Sequence, residues 1–246
     1  MIAHRFLSTG LIACVAAMAL AQQPAKPPAG SQLTPAEQAA GWKVLFDGKD
    51  TTAWRGYKQK SFPTEGWVVA DGCLKTVAGA TGGDLITADQ YGDFELTLEW
   101  KVAPKGNSGI IYRVTEANDE TWQTGPEYQI LDDAGAGEAP ESNHSAGSMF
   151  DLCPAVAGKV LKPAGEFNQV RIRVQDGVVQ HWLNGKKVVE CRLVGDEWKK
   201  LIAGSKFREY DGFGLQPRGH IALQHHGDEV WFRNIRIRPI ASGDLW

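Results

Sequence analysis

A strict alternation of apolar and polar residues constrains the fold of this chain more than any other feature of its sequence. On one face lie Phe94, Leu96, Leu98, Trp100 and Val102, and on the other Glu95, Thr97, Glu99 and Lys101. Because successive side chains of a strand point to opposite sides, the pattern predicts a strand with one buried and one solvated face. An antiparallel sheet is the usual setting for such a strand.

Two later segments repeat the pattern with turns between their strands. Residues 168–192 alternate in the same way around Asp176-Gly177 and Asn184-Gly185, which predicts a three-stranded meander, since Asn-Gly is a strong hairpin signal. Residues 221–225 and 230–237 predict a further hairpin around Gly227-Asp228. The Arg233-Asn234 pair interrupts the alternation and predicts a β-bulge.

Helical signals are few. Thr34-Pro35-Ala36-Glu37 is typical of a capping box, and predicts a short helix that ends before Gly41. Residues 196–206 carry Trp198, Leu201 and Ile202 at helical spacing. The sequence therefore predicts an all-β fold, an antiparallel β-sandwich or jelly roll with one or two short helices. We assign it as one domain over residues 35–240, and expect the long segments 132–166 and 194–219 to wall a cleft.

The first 34 residues predict export. Arg5 precedes the apolar run 6–20, and Ala19-Leu20-Ala21 supplies small residues for cleavage, so residues 1–21 are expected to be a signal peptide. Residues 22–34 are a Pro-rich linker. The product is expected to be periplasmic or secreted; the alternative is a lipoprotein anchored through Cys14. No run of about 18 apolar residues predicts a transmembrane segment.

Charge and cysteine content limit the possible partners. The 26 Lys and Arg against 29 Asp and Glu give a net charge of -3, so the chain has no basic excess for nucleic acid. Removal of the signal peptide leaves Cys73, Cys153 and Cys191, which allow at most one disulfide of open pairing. We expect Cys73 and Cys191 to be buried in strands.

Polar residues in strands that should be apolar are the strongest candidates for a site. Glu127 and Gln129 share a strand face opposite Tyr128 and Ile130. Arg113 ends an apolar strand, and Gln224 and His226 share a face of a third. If these strands are neighbours, one sheet face combines groups that can move a proton and stabilise an oxyanion. The alternatives are a plain solvated face, or a surface salt bridge between Arg113 and Glu127.

Metal and nucleotide motifs are absent. The sequence contains no HExxH, P-loop, GxGxxG or GxSxG pattern. Asp132-Asp133 with Glu138 and Glu141 has the oxygen ligands of a Ca²⁺ site, but a solvated acidic loop explains it equally well. Among nine tryptophans, Trp54 and Trp122 follow loop-like residues, which favours stacking on a sugar. Most of Trp42, Trp54, Trp67, Trp100, Trp182 and Trp231 are expected in the core.

Ordered sequence blocks make the chain similar to the DUF1080 family, the 3-keto-disaccharide hydrolase domain. They begin with Gly41-Trp42-Lys43-Val44-Leu45-Phe46-Asp47-Gly48 and include Asn107-Ser108-Gly109-Ile110, Gly125-Pro126-Glu127-Tyr128-Gln129-Ile130-Leu131-Asp132, Ser205-Lys206-Phe207 and Gly219-His220-Ile221-Ala222-Leu223-Gln224-His225-His226-Gly227. The resemblance spans roughly residues 35–240. It implies a concanavalin-like β-sandwich with ligand on the concave sheet.

The resemblance also implies hydrolysis of 3-keto-glycosides or 3-keto-disaccharides, by elimination and then hydration. That reaction needs a base, an acid and a group that holds the enolate oxygen. The expected partner is an oxidised oligosaccharide or glycoside. The alternative from another functional class is a non-catalytic, lectin-like carbohydrate-binding domain on the same fold.

Roles follow from strand parity and family position. Glu127 or His226 is the base or the acid, and Arg113 stabilises the enolate or orients Glu127. The expected substrate-binding residues are Asn107, Gln129, Gln224, Lys206, Trp54 and Asp132. No cofactor is predicted. Some family members are expected to use a divalent cation as the electrophile, and this sequence offers no ligand set for one.

Overall fold

A computed structural model describes residues 32–241 of the chain. The predicted signal peptide and residues 22–31 of the linker lie outside the described residues. The described part is an antiparallel β-sandwich of an eight-stranded sheet, sheet A, and a five-stranded sheet, sheet B. This architecture confirms the predicted all-β, concanavalin-like fold.

The thirteen strands are short except at the centre of sheet A. The strands of sheet A are β1 (Lys43–Phe46), β3 (Trp67–Ala70), β4 (Cys73–Thr76), β6 (Phe94–Val102), β9 (Asn168–Gln175), β10 (Val178–Leu183), β11 (Lys186–Arg192) and β13 (Val230–Pro239). Those of sheet B are β2 (Trp54–Gly56), β5 (Leu85–Thr87), β7 (Asn107–Val114), β8 (Glu127–Leu131) and β12 (His220–Leu223). The spatial orders are β11-β10-β9-β6-β13-β4-β3, with β1 also paired to β13, and β2-β5-β12-β7-β8.

The alternation at 94–102 produces the expected central strand. In β6 the five apolar residues are buried, while Thr97, Glu99 and Lys101 are partly exposed. Glu95 is the exception, because Arg171 at 2.6 Å and Arg238 cover its carboxylate. The meander is confirmed as β9–β10–β11, and Asn184 and Gly185 have the positive φ angles that a tight hairpin turn requires.

The predicted hairpin at 221–237 is wrong. β12 pairs with β5 and β7 in sheet B, whereas β13 pairs with β1, β4 and β6 in sheet A. Both segments alternate correctly, but alternation does not say which sheet a strand joins. The bulge at Arg233-Asn234 is confirmed by a register shift against β6 and by a φ of 54° at Asn234.

Three short α-helices and two 3-10 helices complete the described elements. The α-helices are α1 (Pro35–Ala39), α2 (Asp133–Ala136) and α3 (Gly195–Ala203), and the 3-10 helices are Thr121–Gln123 and Lys206–Glu209. The capping box is confirmed: Thr34 Oγ1 accepts from Glu37 N at 3.2 Å, and Glu37 Oε2 accepts from Thr34 N at 2.7 Å. None of the helices in residues 32–241 is long and apolar enough to span a bilayer.

The main core lies between the two sheets. Trp100, Phe94 and Phe232 of sheet A pack in one cluster with Tyr112 and Tyr128 of sheet B, and all five are fully buried. Burial of side chains of this size contributes about 1.5–3 kcal/mol each. His181 is buried beside this core, and its ring contacts Gly147 O and the Tyr112 hydroxyl, each at 3.1 Å. Because these inner faces are apolar, the chemistry-bearing residues of sheet B must lie on its other face.

Candidate active site

The outer face of sheet B, which points away from the core, has an apolar floor and a polar edge. Ile86, Ile111, Val114 and Ala222 form a small buried cluster that is separate from the main core. In the register of β7 and β8, Ile111 pairs with Glu127 and Gly109 with Gln129. Tyr128 and Ile130 enter the core, so Glu127 and Gln129 stand on the outer face, as their alternation predicts.

Glu127 is a buried carboxyl group on this face. Its side chain is 4% exposed and lies across Gly109, where a Cβ would come within 2.0 Å of Glu127 Oε1. The amide of Gln129 lies 3.2 Å from the same oxygen. Burial raises the pKa of Glu127 to about 8, with Lys206 opposing this rise and Asp84 adding to it. Glu127 is therefore protonated at neutral pH.

The Gln129 amide can face Glu127 in two orientations. With its nitrogen toward Glu127, it donates to Glu127 Oε1 and to Ser108 O, each at 3.2 Å. With its oxygen toward Glu127, it can accept the proton of the neutral carboxyl, and its Nε2 donates to Asn107 Oδ1 at 3.3 Å. The Glu127 proton thus has a neighbour that accommodates both of its charge states.

Lys206 supplies the positive charge that acts on Glu127. Its Nζ stands 4.6 Å from the ring centre of Trp122, 4.5 Å from that of Phe150 and 5.2 Å from that of Phe207. Cation–π attraction to three rings holds the ammonium group in place. The backbone is fixed as well, because Lys206 N donates to Asp151 Oδ2 at 2.8 Å. The two long segments 132–166 and 194–219 therefore meet at this point.

Asp84 is a second buried carboxylate, and sequence reasoning missed it. Its Oδ1 accepts from His225 N at 2.8 Å, and its Oδ2 accepts from the Thr121 hydroxyl. Burial raises the pKa of Asp84 to about 6, against the effect of these hydrogen bonds. The available signal was a carboxylate after Gly82-Gly83 and directly before the buried strand β5. Asp84 ties the chain after β12 to the 3-10 helix that carries Trp122.

Three predicted hydroxyl-binding residues lie near Glu127. Gln129 is next to it on the outer face, and Asn107 reaches Gln129 through the contact at 3.3 Å. Gln224 N donates to Gly109 O at 3.0 Å, which places Gln224 beside the glycine that Glu127 covers. Asn107 N is held by Asp228 Oδ2 at 3.0 Å. The structure therefore brings these amides together from three neighbouring segments.

Arg113 does not follow the strand parity that predicted it. Its φ of 59° marks an irregularity, and β7 and β12 shift register at this point. Ile111 and Val114 consequently both face outward, three residues apart, and Arg113 takes the opposite side. The guanidinium is 1% exposed, its Nη1 donates to Gly214 O at 3.3 Å, and Asp93 is the carboxylate that favours its charge. The cation that opposes the raised pKa of Glu127 is Lys206.

His226 lies at the rim. It is exposed on the loop after β12, two residues beyond Gln224. Its neighbour His225 is half-buried, with its ring against Trp67 at 6.0 Å. His226 is thus reachable from solvent next to the polar edge.

Two residues that were expected to bind substrate, Trp54 and Asp132, make contacts within the fold instead. Trp54 is 2% exposed and its indole N–H donates to Leu45 O at 2.8 Å, so its ring packs in the core and offers no free face to a sugar. Asp132 caps α2, with its carboxylate accepting from Gly135 N at 3.2 Å and Lys105 N at 2.8 Å. By contrast, Trp122 is half-exposed beside Tyr210, at a ring distance of 5.5 Å.

The opposite end of the outer face carries an ion pair that the sequence did not reveal. Arg55 Nη1 and Nη2 donate to the two carboxylate oxygens of Glu116, each at 2.8 Å. Lys58 N donates to the same carboxylate at 2.8 Å. The hydrogen bonds from Arg55 lower the pKa of Glu116 to about 2. This end is polar and rigid.

The acidic residues that follow β8 make structural contacts. Within residues 32–241 no group of three or more His, Cys, Asp and Glu side chains is gathered as a cation would need. Asp133 pairs with Lys159 Nζ at 2.8 Å, and Asp132 caps α2.

Comparisons with known proteins agree with this architecture. A 3-keto-disaccharide hydrolase of Bacteroides thetaiotaomicron is 36% identical over 232 residues, which cover 82% of this chain and 79% of that protein. Two solved structures of glycosyl hydrolase candidates from Parabacteroides distasonis are also similar. One is 31% identical with a TM-score of 0.77, over 86% of this chain and 99% of that one. The other is 30% identical with a TM-score of 0.60, over 81% and 99%.

The family model of the 3-keto-alpha-glucoside-1,2-lyase-like domain matches residues 41–238. This range begins two residues before β1 and ends at the penultimate residue of β13, and so spans both sheets and every residue of the candidate site. The chain belongs to the 3-keto-alpha-glucoside-1,2-lyase-like domain family.

Proposed function

We propose that this protein cleaves glycosides whose sugar ring carries a ketone at C3, by elimination followed by hydration. The observation that carries the proposal is Glu127, a carboxyl that burial keeps protonated at neutral pH beside the Lys206 ammonium group. Strongly shifted titratable groups with a specific charge partner are typical of functional sites. The family and the named activity of the Bacteroides relative support the same substrate class.

The chemistry explains why one acid, one base and one cation suffice. A C3 ketone acidifies the C2 proton, so a base removes it and the electron pair passes to the ketone oxygen as an enolate. Collapse of the enolate breaks the C1–O bond, and the leaving oxygen takes a proton from the acid. Water then adds to the C1=C2 double bond, which completes a net hydrolysis. The paired carboxylates of ordinary glycosidases are not required.

Glu127 is the acid in this proposal. A group that titrates near pH 8 holds its proton at neutral pH and still gives it readily to a departing alkoxide. The Gln129 amide accommodates the ionised carboxylate that remains. Lys206 stabilises the charge of the enolate, since its ammonium group is held at a fixed position by three rings.

His226 is the base, because imidazole is the commonest proton acceptor near neutral pH and this ring is open to solvent at the rim. Asn107, Gln129 and Gln224 bind sugar hydroxyls, and Trp122 supplies the stacking surface that Trp54 cannot. Arg113 positions the loop at Gly214 and does not touch substrate. The expected partner remains an oxidised glycoside or oligosaccharide.

A lectin-like domain is the alternative, and the buried Glu127 favours the enzyme. A carbohydrate-binding platform needs exposed aromatic and amide groups, but it gains nothing from an uncharged carboxyl with 4% exposure, which costs free energy to ionise. The two functions differ in whether the glycosidic bond breaks.

The test compares a 3-keto-glucoside with its unoxidised parent and follows release of the aglycone. We expect release from the keto substrate only, and a loss of about 100-fold or more in Glu127→Gln. Glu65→Gln, at an exposed glutamate, is the matched control and should retain full activity. Binding of the parent sugar without release from the keto substrate would establish the lectin function instead.

A further inference from the structure

Cys153 and Cys191 are 38 positions apart in the sequence and adjacent in the structure. Their side chains line the same groove. The backbone brings them together, because Cys153 forms a bridge with Met149 and the following segment docks on β11, with Val156 N donating to Val188 O at 2.8 Å. Cys73 lies elsewhere, in β4, and its Sγ donates to Asp71 O at 3.6 Å.

Solvent reaches the cysteine pair through a groove. Both residues line it, together with Glu190, Arg192, Glu197, Lys200 and Leu201. Cys153 is partly exposed and Cys191 is 7% exposed, whereas Cys73 is 2% exposed. A small disulfide can therefore contact the pair, and Cys73 is shielded from it.

The thiolate is the nucleophile in disulfide exchange, so whichever thiol of the pair ionises starts the reaction. Cys153 is the more exposed of the two.

We propose that Cys153 and Cys191 form a redox-active pair that closes to an intramolecular disulfide. The oxidant is an external disulfide, of a small thiol such as glutathione or of a protein. The thiolate of one cysteine attacks one sulfur of it, breaks its S–S bond and releases one thiol. The other cysteine then loses its proton and attacks the protein sulfur of the mixed disulfide, which releases the second thiol. Two protein thiols are oxidised, and one external disulfide is reduced.

The position of the pair links it to the walls of the candidate site. Cys153 is three residues beyond Phe150, and β11 leads through α3 to Lys206. A bond between them would tie the segment that carries Phe150 to the strand that leads into the segment that carries Lys206, and these two side chains meet at 4.5 Å. We expect oxidation to stiffen both walls. The proposal does not depend on the substrate of the site.

The experiment treats the full chain with oxidised glutathione, alkylates the remaining thiols without reduction and maps tryptic peptides. We expect residues 188–192, which contain Cys191, to appear linked to residues 114–159, which contain Cys153, with a loss of two hydrogens. Residues 61–75 should carry alkylated Cys73. Disulfide closure should raise the melting temperature by about 5–10 °C, and dithiothreitol should reverse the shift.

Matched variants separate the pair from the third cysteine. Cys73→Ser should keep the linked peptide and the temperature shift, whereas Cys153→Ser should lose both. If Cys153→Ser does not fold, Cys191→Ser replaces it in the same assay. Alkylation of Cys153 and Cys191 in the oxidised wild-type protein, with no linked peptide, would overturn the proposal, as would a mixed disulfide with glutathione that never closes.

Discussion

The carboxyl group of Glu127 on β8 occupies the space that a side chain at Gly109 on β7 would fill: a Cβ there would stand 2.0 Å from Glu127 Oε1. The residue at position 109 therefore decides where the proposed acid stands. Gly109 has no positive φ, so its backbone suits an alanine. Glycine is needed at position 109 because the Glu127 side chain fills the space that a Cβ would take, and not because the backbone adopts a positive φ.

Gly109→Ala should fold and lose activity. The methyl group would lie 2.0, 2.7 and 2.8 Å from Oε1, Cδ and Cγ of Glu127, so this buried side chain must turn away. Some stability is lost, and the acid moves by an ångström or more. Misplacement of that size lowers kcat/KM by about 100-fold. Steady-state rates on a 3-keto-glucoside, together with thermal unfolding, provide the measurement. Gly204→Ala is the matched control, because a Cβ there meets nothing closer than 3.5 Å. Full activity in Gly109→Ala would show that Glu127 is not the acid.

Glu127→Gln should be more stable than the wild type at alkaline pH. The pKa of Glu127 is raised from 4.5 to about 8 in the folded state, so between these values only the folded state holds the proton. Stability of the wild type therefore falls as pH rises through this window, and glutamine removes the loss. We expect the variant's advantage in the free energy of unfolding to grow from near zero at pH 4.5 to about 2–4 kcal/mol at pH 8.

Urea unfolding of both proteins between pH 4.5 and 8.5 measures the difference, in which the other titrating groups largely cancel. Glu65→Gln, at an exposed side chain, should show no such trend. A constant difference across the range would mean that Glu127 ionises in the folded protein as it does in water.

Lys206→Gln should change the pH profile as well as the rate. Lys206 lowers the pKa of Glu127 against the effect of burial, so its loss raises that pKa further. Since the proposed acid must be protonated, the alkaline limb of kcat/KM moves to higher pH, while kcat falls by about 10-fold or more with the enolate less stabilised. Lys200→Gln, on α3, is the control. A lower rate with an unmoved limb would indicate a structural role for Lys206.

Strand parity explains how much of the site the sequence could predict. Period-two alternation correctly placed Glu127 and Gln129 on one face, because β8 is regular over its whole length. It misplaced Arg113, since one residue with φ of 59° reverses parity within β7, and alternation of neighbours does not reveal a single positive φ. The expectation that Trp54 stacks on a sugar has a related problem. Loop-like residues before a tryptophan do not show that its indole N–H donates to Leu45 O in the core.

Alternation and turn signals do not predict contacts between residues that are far apart in the sequence. The meander at 168–192 needed only neighbouring residues, whereas β12 and β13 follow each other in sequence and join different sheets. Lys206 and Phe150 lie on separate long segments, so nothing in either segment predicts that they meet. Asp84 is a candidate site residue only because it is buried and accepts hydrogen bonds from Thr121 and His225. Sequence resemblance indicated which residues belong to the candidate site, and the structure shows how far apart they lie.

Lys159→Met should destabilise the fold through one wall of the site. Lys159 Nζ lies 2.8 Å from Asp133 Oδ2, and the side chains are 3% and 7% exposed. Loss of the ammonium leaves a buried carboxylate without its counter-charge, which costs about 3–5 kcal/mol in the free energy of unfolding. Lys199→Met is the matched control, because its pair with Asp196 is exposed on α3 and contributes little. Equal urea midpoints for the two variants would contradict the importance of the buried pair.

Trp122→Ala should weaken substrate binding more than it slows the chemical step. The half-exposed ring lies on the apolar floor of the outer face and beside Lys206, where it can cover one face of a sugar. Loss of that surface should raise KM by about 10-fold, with a smaller change in kcat, because stacking contacts act on the ground state and the transition state alike. Trp231→Ala is the control: this indole is also half-exposed beside a lysine, Lys101 at 4.2 Å, but stands on sheet A. An unchanged KM in Trp122→Ala, with the fold intact, would place the sugar elsewhere on the outer face.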